Sequence, residues 1–75
     1  MGIKNLPVSD GRSHAKAFTR LGWTVREVSN HIILDKPNAL TISIPNHNEV
    51  KRQLLHGLLR KNGISEAAYL KAFNQ

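Results

Sequence analysis

The chain has 75 residues, no cysteine, and eleven Lys and Arg against five Asp and Glu, for a formal net charge of +6. One domain spanning 1–75 is expected, burying only about 60% of its unfolded surface and therefore modestly stable; without cysteine, neither disulfides nor cysteine-zinc clusters supplement its core. No apolar run approaches the roughly 20 residues of a membrane span, and the N-terminus lacks the apolar stretch of a signal peptide. A cytoplasmic protein with no membrane partner is expected, which the lack of disulfides suits. The positive charge attracts polyanions, so nucleic acid or an acidic protein is the expected partner.

In chain order, residues 1–8 form an extended lead-in, because Pro7 disfavours helix at Leu6. Asp10 is an N-cap whose carboxylate can accept from free amides of the first helical turn. A first helix over 11–21 follows, with Ala17, Phe18 and Leu21 along one face and His14 a turn earlier, and Gly22 closes it. Residues 23–28 are rich in aromatic and β-branched residues and predict a strand, and Ser29-Asn30 a tight turn. A second strand is expected over 31–35, a Pro- and Asn-containing turn over 36–39, and a third strand over 40–44 that alternates, with Leu40, Ile42 and Ile44 on one face. Pro45 stops that strand and Asn46-His47-Asn48 is a polar loop.

Helical period returns over about 49–61, with Val50, Leu54, Leu55, Leu58 and Leu59 as its apolar stripe. Glu49 near its start and Arg60-Lys61 near its end complement the helix dipole. Ser65 caps a short last helix. The fold class is α+β, in the order α-β-β-β-α with a short C-terminal helix, a three-stranded antiparallel sheet and helices on one face. Alternation places Ile32 and Leu34 on the helix side and His31 and Ile33 on the open side; a slip of one residue would bury His31 instead. Trp23, just after Gly22, belongs to the core.

The succession Asp10-Gly11-Arg12, Leu21-Gly22-Trp23, Asn30-His31-Ile32-Ile33-Leu34, Ile44-Pro45-Asn46-His47 and Lys61-Asn62-Gly63-Ile64-Ser65 resembles the HicA-type mRNA interferase toxins over most of the chain. The resemblance implies a double-stranded-RNA-binding-domain-like fold. It also implies an endoribonuclease that cleaves mRNA and inhibits translation, neutralised by a HicB-type antitoxin, with DNA engaged only indirectly through the antitoxin. The family's catalytic histidine opens a strand after Gly-Ser; the matching position is His31, preceded here by Ser29-Asn30. Arg52-Gln53-Leu54 stands where members often carry a Lys-Gly-Thr type of segment.

Apart from that resemblance, His31 is of the residue type that can take or give a proton, as phosphodiester cleavage requires. Metal-independent cleavage uses the ribose 2′-hydroxyl as nucleophile, so no cofactor is expected. The histidines, Asp35 and Glu49 show no compact ligand spacing, so no metal site is expected either. Arg26, His47, Lys51 and Arg52 are the candidate RNA-binding residues, the Lys and Arg as cations that could hold phosphates; His47 could assist His31, bind phosphate or simply cap the following helix. His14 and His56 are expected at the surface or its boundary. The competing reading is a non-catalytic RNA-binding module of the same fold, recognising backbone and 2′-hydroxyls. No helix-turn-helix pair stands out, which argues against a DNA-binding domain.

Overall fold

The computed structural model describes residues 5–75. Helix α1 (Gly11–Arg20) leads into strands β1 (Thr24–Val28), β2 (His31–Asp35) and β3 (Ile42–Pro45), followed by α2 (Arg52–Lys61) and α3 (Glu66–Phe73). The strands form one antiparallel sheet in the order β1-β2-β3. This is the expected α-β-β-β-α order, followed by the expected short C-terminal helix. Of the expected lead-in, the first four positions lie outside the described residues; Asn5 and Leu6 curl in a turn, and Leu6 is buried.

Local chemistry accounts for the boundaries. Asp10 accepts from the Ser13 amide at 3.2 Å and from the Ser13 hydroxyl at 2.6 Å, satisfying a donor of the first turn. The hydrogen bond from the Ser13 side chain is the main reason that carboxyl sits below its ordinary value. Gly22 ends the helix region at φ 107°, open to glycine at little cost. Ser65 caps α3 by accepting from the Ala68 amide.

Pleat and helix period then build one core. Ile32, Leu34, Ile42 and Ile44 point from the sheet onto Ala15, Ala17 and Phe18 of α1, Leu55 and Leu59 of α2 and Tyr69 of α3. Trp23 is buried as expected, with its ring edge-on to Phe18 at 5.7 Å between centroids. Lys36 lies over the Trp23 ring at 4.5 Å and donates to the Leu21 carbonyl, tying the end of β2 to the end of α1.

Three expectations are corrected. Leu40 lies outside β3 and is 56% exposed; its N–H donates to the Asn62 side chain instead of a strand ladder. Helix α2 begins at Arg52, not Glu49, because Val50 pairs with Ser9 in an isolated bridge, its N–H donating to the Ser9 carbonyl at 2.8 Å. Leu54, expected in the apolar stripe, is exposed, while Leu55 and Leu59 are buried.

The third correction is His14, which is fully buried between α1 and α3. Its Nδ1 is hydrogen-bonded to the Tyr69 hydroxyl at 2.5 Å, its ring lies 5.4 Å from that of Phe73, and its Nε2 has no partner. Desolvation lowers its pKa below the ordinary histidine value, against a weaker opposing pull from Asp10. The same burial raises the pKa of Tyr69. The unfolded chain therefore protonates His14 first as pH falls through about 6.5, and the folded state loses stability from there downward to the lower folded pKa. Thermal melts from pH 7.5 to 5 are expected to show a falling Tm, and the fall is expected to be shallower in His14→Gln. Parallel melting curves for the two proteins would contradict this.

Candidate nucleic-acid interface and active site

The open face of the sheet is set by register. His31 stands opposite Pro45, Ile33 opposite Ser43, and the alternate residues Ile32 and Leu34 are buried. His31 is thus exposed at the first position of β2, on the face away from the helices.

A set of hydrogen bonds holds the turn before it. The Asn46 backbone N–H donates to the Asn30 carbonyl at 3.0 Å, and its side-chain Nδ2 donates to the Ser29 carbonyl at 2.9 Å. The Ser29 N–H donates to the His31 carbonyl, closing the turn on itself. One residue past β3 therefore clamps both carbonyls of the Ser29-Asn30 turn that presents His31. Sequence reading assigned Asn46 no such role; a side-chain amide just after a strand-ending proline, opposite a two-residue turn, was the available signal.

His47 follows Asn46 at the same end of the sheet, exposed, with its carbonyl accepting from the Gly11 amide at 3.0 Å. It lines a hollow of about 320 Å³ with Pro45, Glu49, Val50, Lys51, Gln53 and Leu54. This hollow starts at the residue paired with His31 and ends at the first turn of α2. It brings His47 and Lys51 to the end of the sheet that carries His31, with Glu49 the only carboxylate in its lining. The α2 N-terminus has Lys51 as N-cap residue, no side-chain cap and no acid in its first turn, so its free amides add to the positive field there.

The other two expected RNA contacts are placed differently. Arg52 donates through Nε to the Leu6 carbonyl at 2.7 Å, so part of its guanidinium fastens the N-terminal segment to α2, although the side chain reaches the surface. Arg26 sits in a β-bulge between Val25 and Glu27 and pairs with Asp35, which also accepts from Thr41 at 2.8 Å. The hydrogen bond from Arg26, followed by that from Thr41, lowers the pKa of Asp35, and the same pairing raises that of Arg26. Asp35 is four residues along β2 from His31, about 13 Å at the rise of a strand. Arg26 is therefore partly neutralised at the far end of the open face, apart from the His31 end.

The chain is a small α+β domain that displays an exposed histidine at one end of an open sheet, at the end that also holds the basic start of α2. A family model described as the HicA toxin of bacterial toxin-antitoxin matches residues 11–64, from the first residue of α1 to just beyond α2. The chain belongs to the HicA toxin family. No curated protein and no solved structure gives a significant match. Among the described residues, no helix is long and apolar enough to cross a membrane.

Proposed function

We propose that this toxin-family protein is an endoribonuclease that cleaves messenger RNA and so inhibits translation, with His31 as its catalytic residue and an antitoxin of the HicB type as its neutralising partner. The observation that carries the reading is the exposed placement of His31 at the start of β2, within the family-matched span, on a turn clamped by Asn46.

The chemistry needs no cofactor. His31 accepts the proton of a ribose 2′-hydroxyl, the oxygen attacks the adjacent phosphorus, and the P–O5′ bond breaks, leaving a 2′,3′-cyclic phosphate and a 5′-hydroxyl. The proton returns to the leaving oxygen from the imidazolium or from water. His47 and Lys51 hold the phosphates at the neighbouring hollow, with Arg52 beside them and Arg26 contacting the strand further along the sheet. One general base with no fixed second acid makes a slow nuclease. DNA is reached only through the antitoxin.

Induced expression is expected to arrest growth together with decay of messenger RNA, and coexpression of the antitoxin encoded beside it to relieve both. RNA binding with a steep salt dependence but no decay and no arrest would assign a non-catalytic RNA-binding module instead.

A further inference from the structure

A second surface lies on the helix side of the sheet, on the face opposite the one that carries His31. Between α1 and the edge strand β1 runs a groove of about 320 Å³ lined by Arg12, Ala15, Lys16, Thr19, Val25, Val28 and Ile32. Val25 pairs with Leu34 and Val28 with Ile32, both core residues, so the two valines face the helix layer. Helix α1 does not reach over them, and they remain 40% and 52% exposed.

The groove is apolar in its floor and cationic along one wall. Helix α1 carries no acidic residue, and Arg12 and Lys16 stand one turn apart on its exposed side. Neither forms an ion pair among the described residues. Glu27 pairs with Ile33 and so belongs to the opposite face, and no carboxylate lines the groove.

We infer that this groove docks an acidic amphipathic segment of a partner protein, apolar side chains resting on Val25, Val28 and Ala15 and carboxylates meeting Arg12 and Lys16. The inference rests on the antitoxin reading above and names where such a partner grips. Charge complementarity selects an acidic occupant, and the apolar floor selects protein over RNA, since aliphatic side chains offer nothing to a phosphodiester. The bulge at Arg26 breaks the regular pairing of β1 with β2 and bends the edge strand, so the grip comes from side chains in the groove and not from an added strand. Because groove and His31 lie on opposite faces, partner binding and RNA cleavage are separable by mutation.

The test uses the full chain and the HicB-type protein encoded in the adjacent reading frame, with affinity measured by titration and RNA cleavage measured in parallel. Arg12→Glu/Lys16→Glu, two exposed side chains without hydrogen-bonded or ionic partners among the described residues, is expected to weaken the complex at least tenfold while cleaving RNA at the wild-type rate. Val25→Asn/Val28→Asn is expected to do the same through the floor. Wild-type affinity in both variants overturns the proposal. Loss of RNA binding with the protein complex intact assigns the groove to RNA and also overturns it. So does a wild-type dimer that both variants dissociate, which would make a second copy the occupant. Failure of the wild-type chain to bind the partner at all overturns the antitoxin reading, and the groove assignment with it.

Discussion

His31→Ala is expected to lower the rate of RNA cleavage by about 10²- to 10⁴-fold, the range that a positioned general acid or base contributes, with little change in fold or RNA affinity. The side chain is exposed and lies outside the core, so its removal opens no cavity and leaves no buried donor unpaired. The phosphate contacts proposed for His47 and Lys51 remain in the variant, so binding persists while turnover is lost. Circular dichroism and a melting curve establish that the variant is folded, and a timed RNA digest reads the effect. Undiminished cleavage by folded His31→Ala would remove the catalytic assignment.

Gly11→Ala is expected to destabilise the protein by about 2–4 kcal/mol, from overpacking and from disturbing the Gly11–His47 hydrogen bond. Helix propensity alone points the other way, favouring alanine over glycine by up to about 1 kcal/mol. Sterics decide the sign, because a Cβ at Gly11 would sit 2.3 Å from the Pro45 carbonyl oxygen and 3.3 Å from the Asn46 Cα, both backbone atoms. The start of α1 packs directly on the segment that carries Asn46 and His47, so relieving the clash moves the clamp that holds the His31 turn. For a domain of this length the loss corresponds to a Tm lower by roughly 10–30 °C. Gly57→Ala is the control: a Cβ there meets nothing within 4 Å, and the substitution is expected to raise stability by up to about 1 kcal/mol. Equal melting temperatures for Gly11→Ala and wild type would contradict the close-approach account.

What could be read from the residues was local. Asp10, Gly22 and Ser65 mark helix ends by their own chemistry, and alternation in Ile32-Ile33-Leu34 was enough to put His31 on the open face. The departures arose where distant chain segments compete with a local pattern. Val50 continues the helical period of α2, yet its amide is taken by Ser9, more than forty residues earlier, and the helix starts later. Leu40 continues the alternation of β3, but the turn containing Asn38 at φ 63° and the bond to Asn62 draw it out of the ladder.

His14 falls on the same helical face as Ala17 and Phe18, a spacing that signals burial, but a polar residue type argues for the surface until a partner is known. Tyr69 is that partner, and it lies 55 residues away. The same holds for the candidate site. His47 and Lys51 reach the His31 end of the sheet, whereas the bulge in β1 and the ion pair with Asp35 take Arg26 elsewhere. Bulges and antiparallel partners across a turn leave little trace in residue type or period.

Cleavage by a ribose 2′-hydroxyl at a histidine site is tested most directly by the end chemistry of the products. Purified wild-type protein is incubated with a defined RNA in the presence of a metal chelator, and the fragments are weighed by mass spectrometry. Fragments ending in a 2′,3′-cyclic phosphate, paired with 5′-hydroxyl ends, and protection of the RNA when the nucleotide at the cut carries a 2′-deoxyribose, are the predicted result. Cleavage that survives the 2′-deoxy substitution, or fragments bearing 5′-phosphate and 3′-hydroxyl ends, would contradict it.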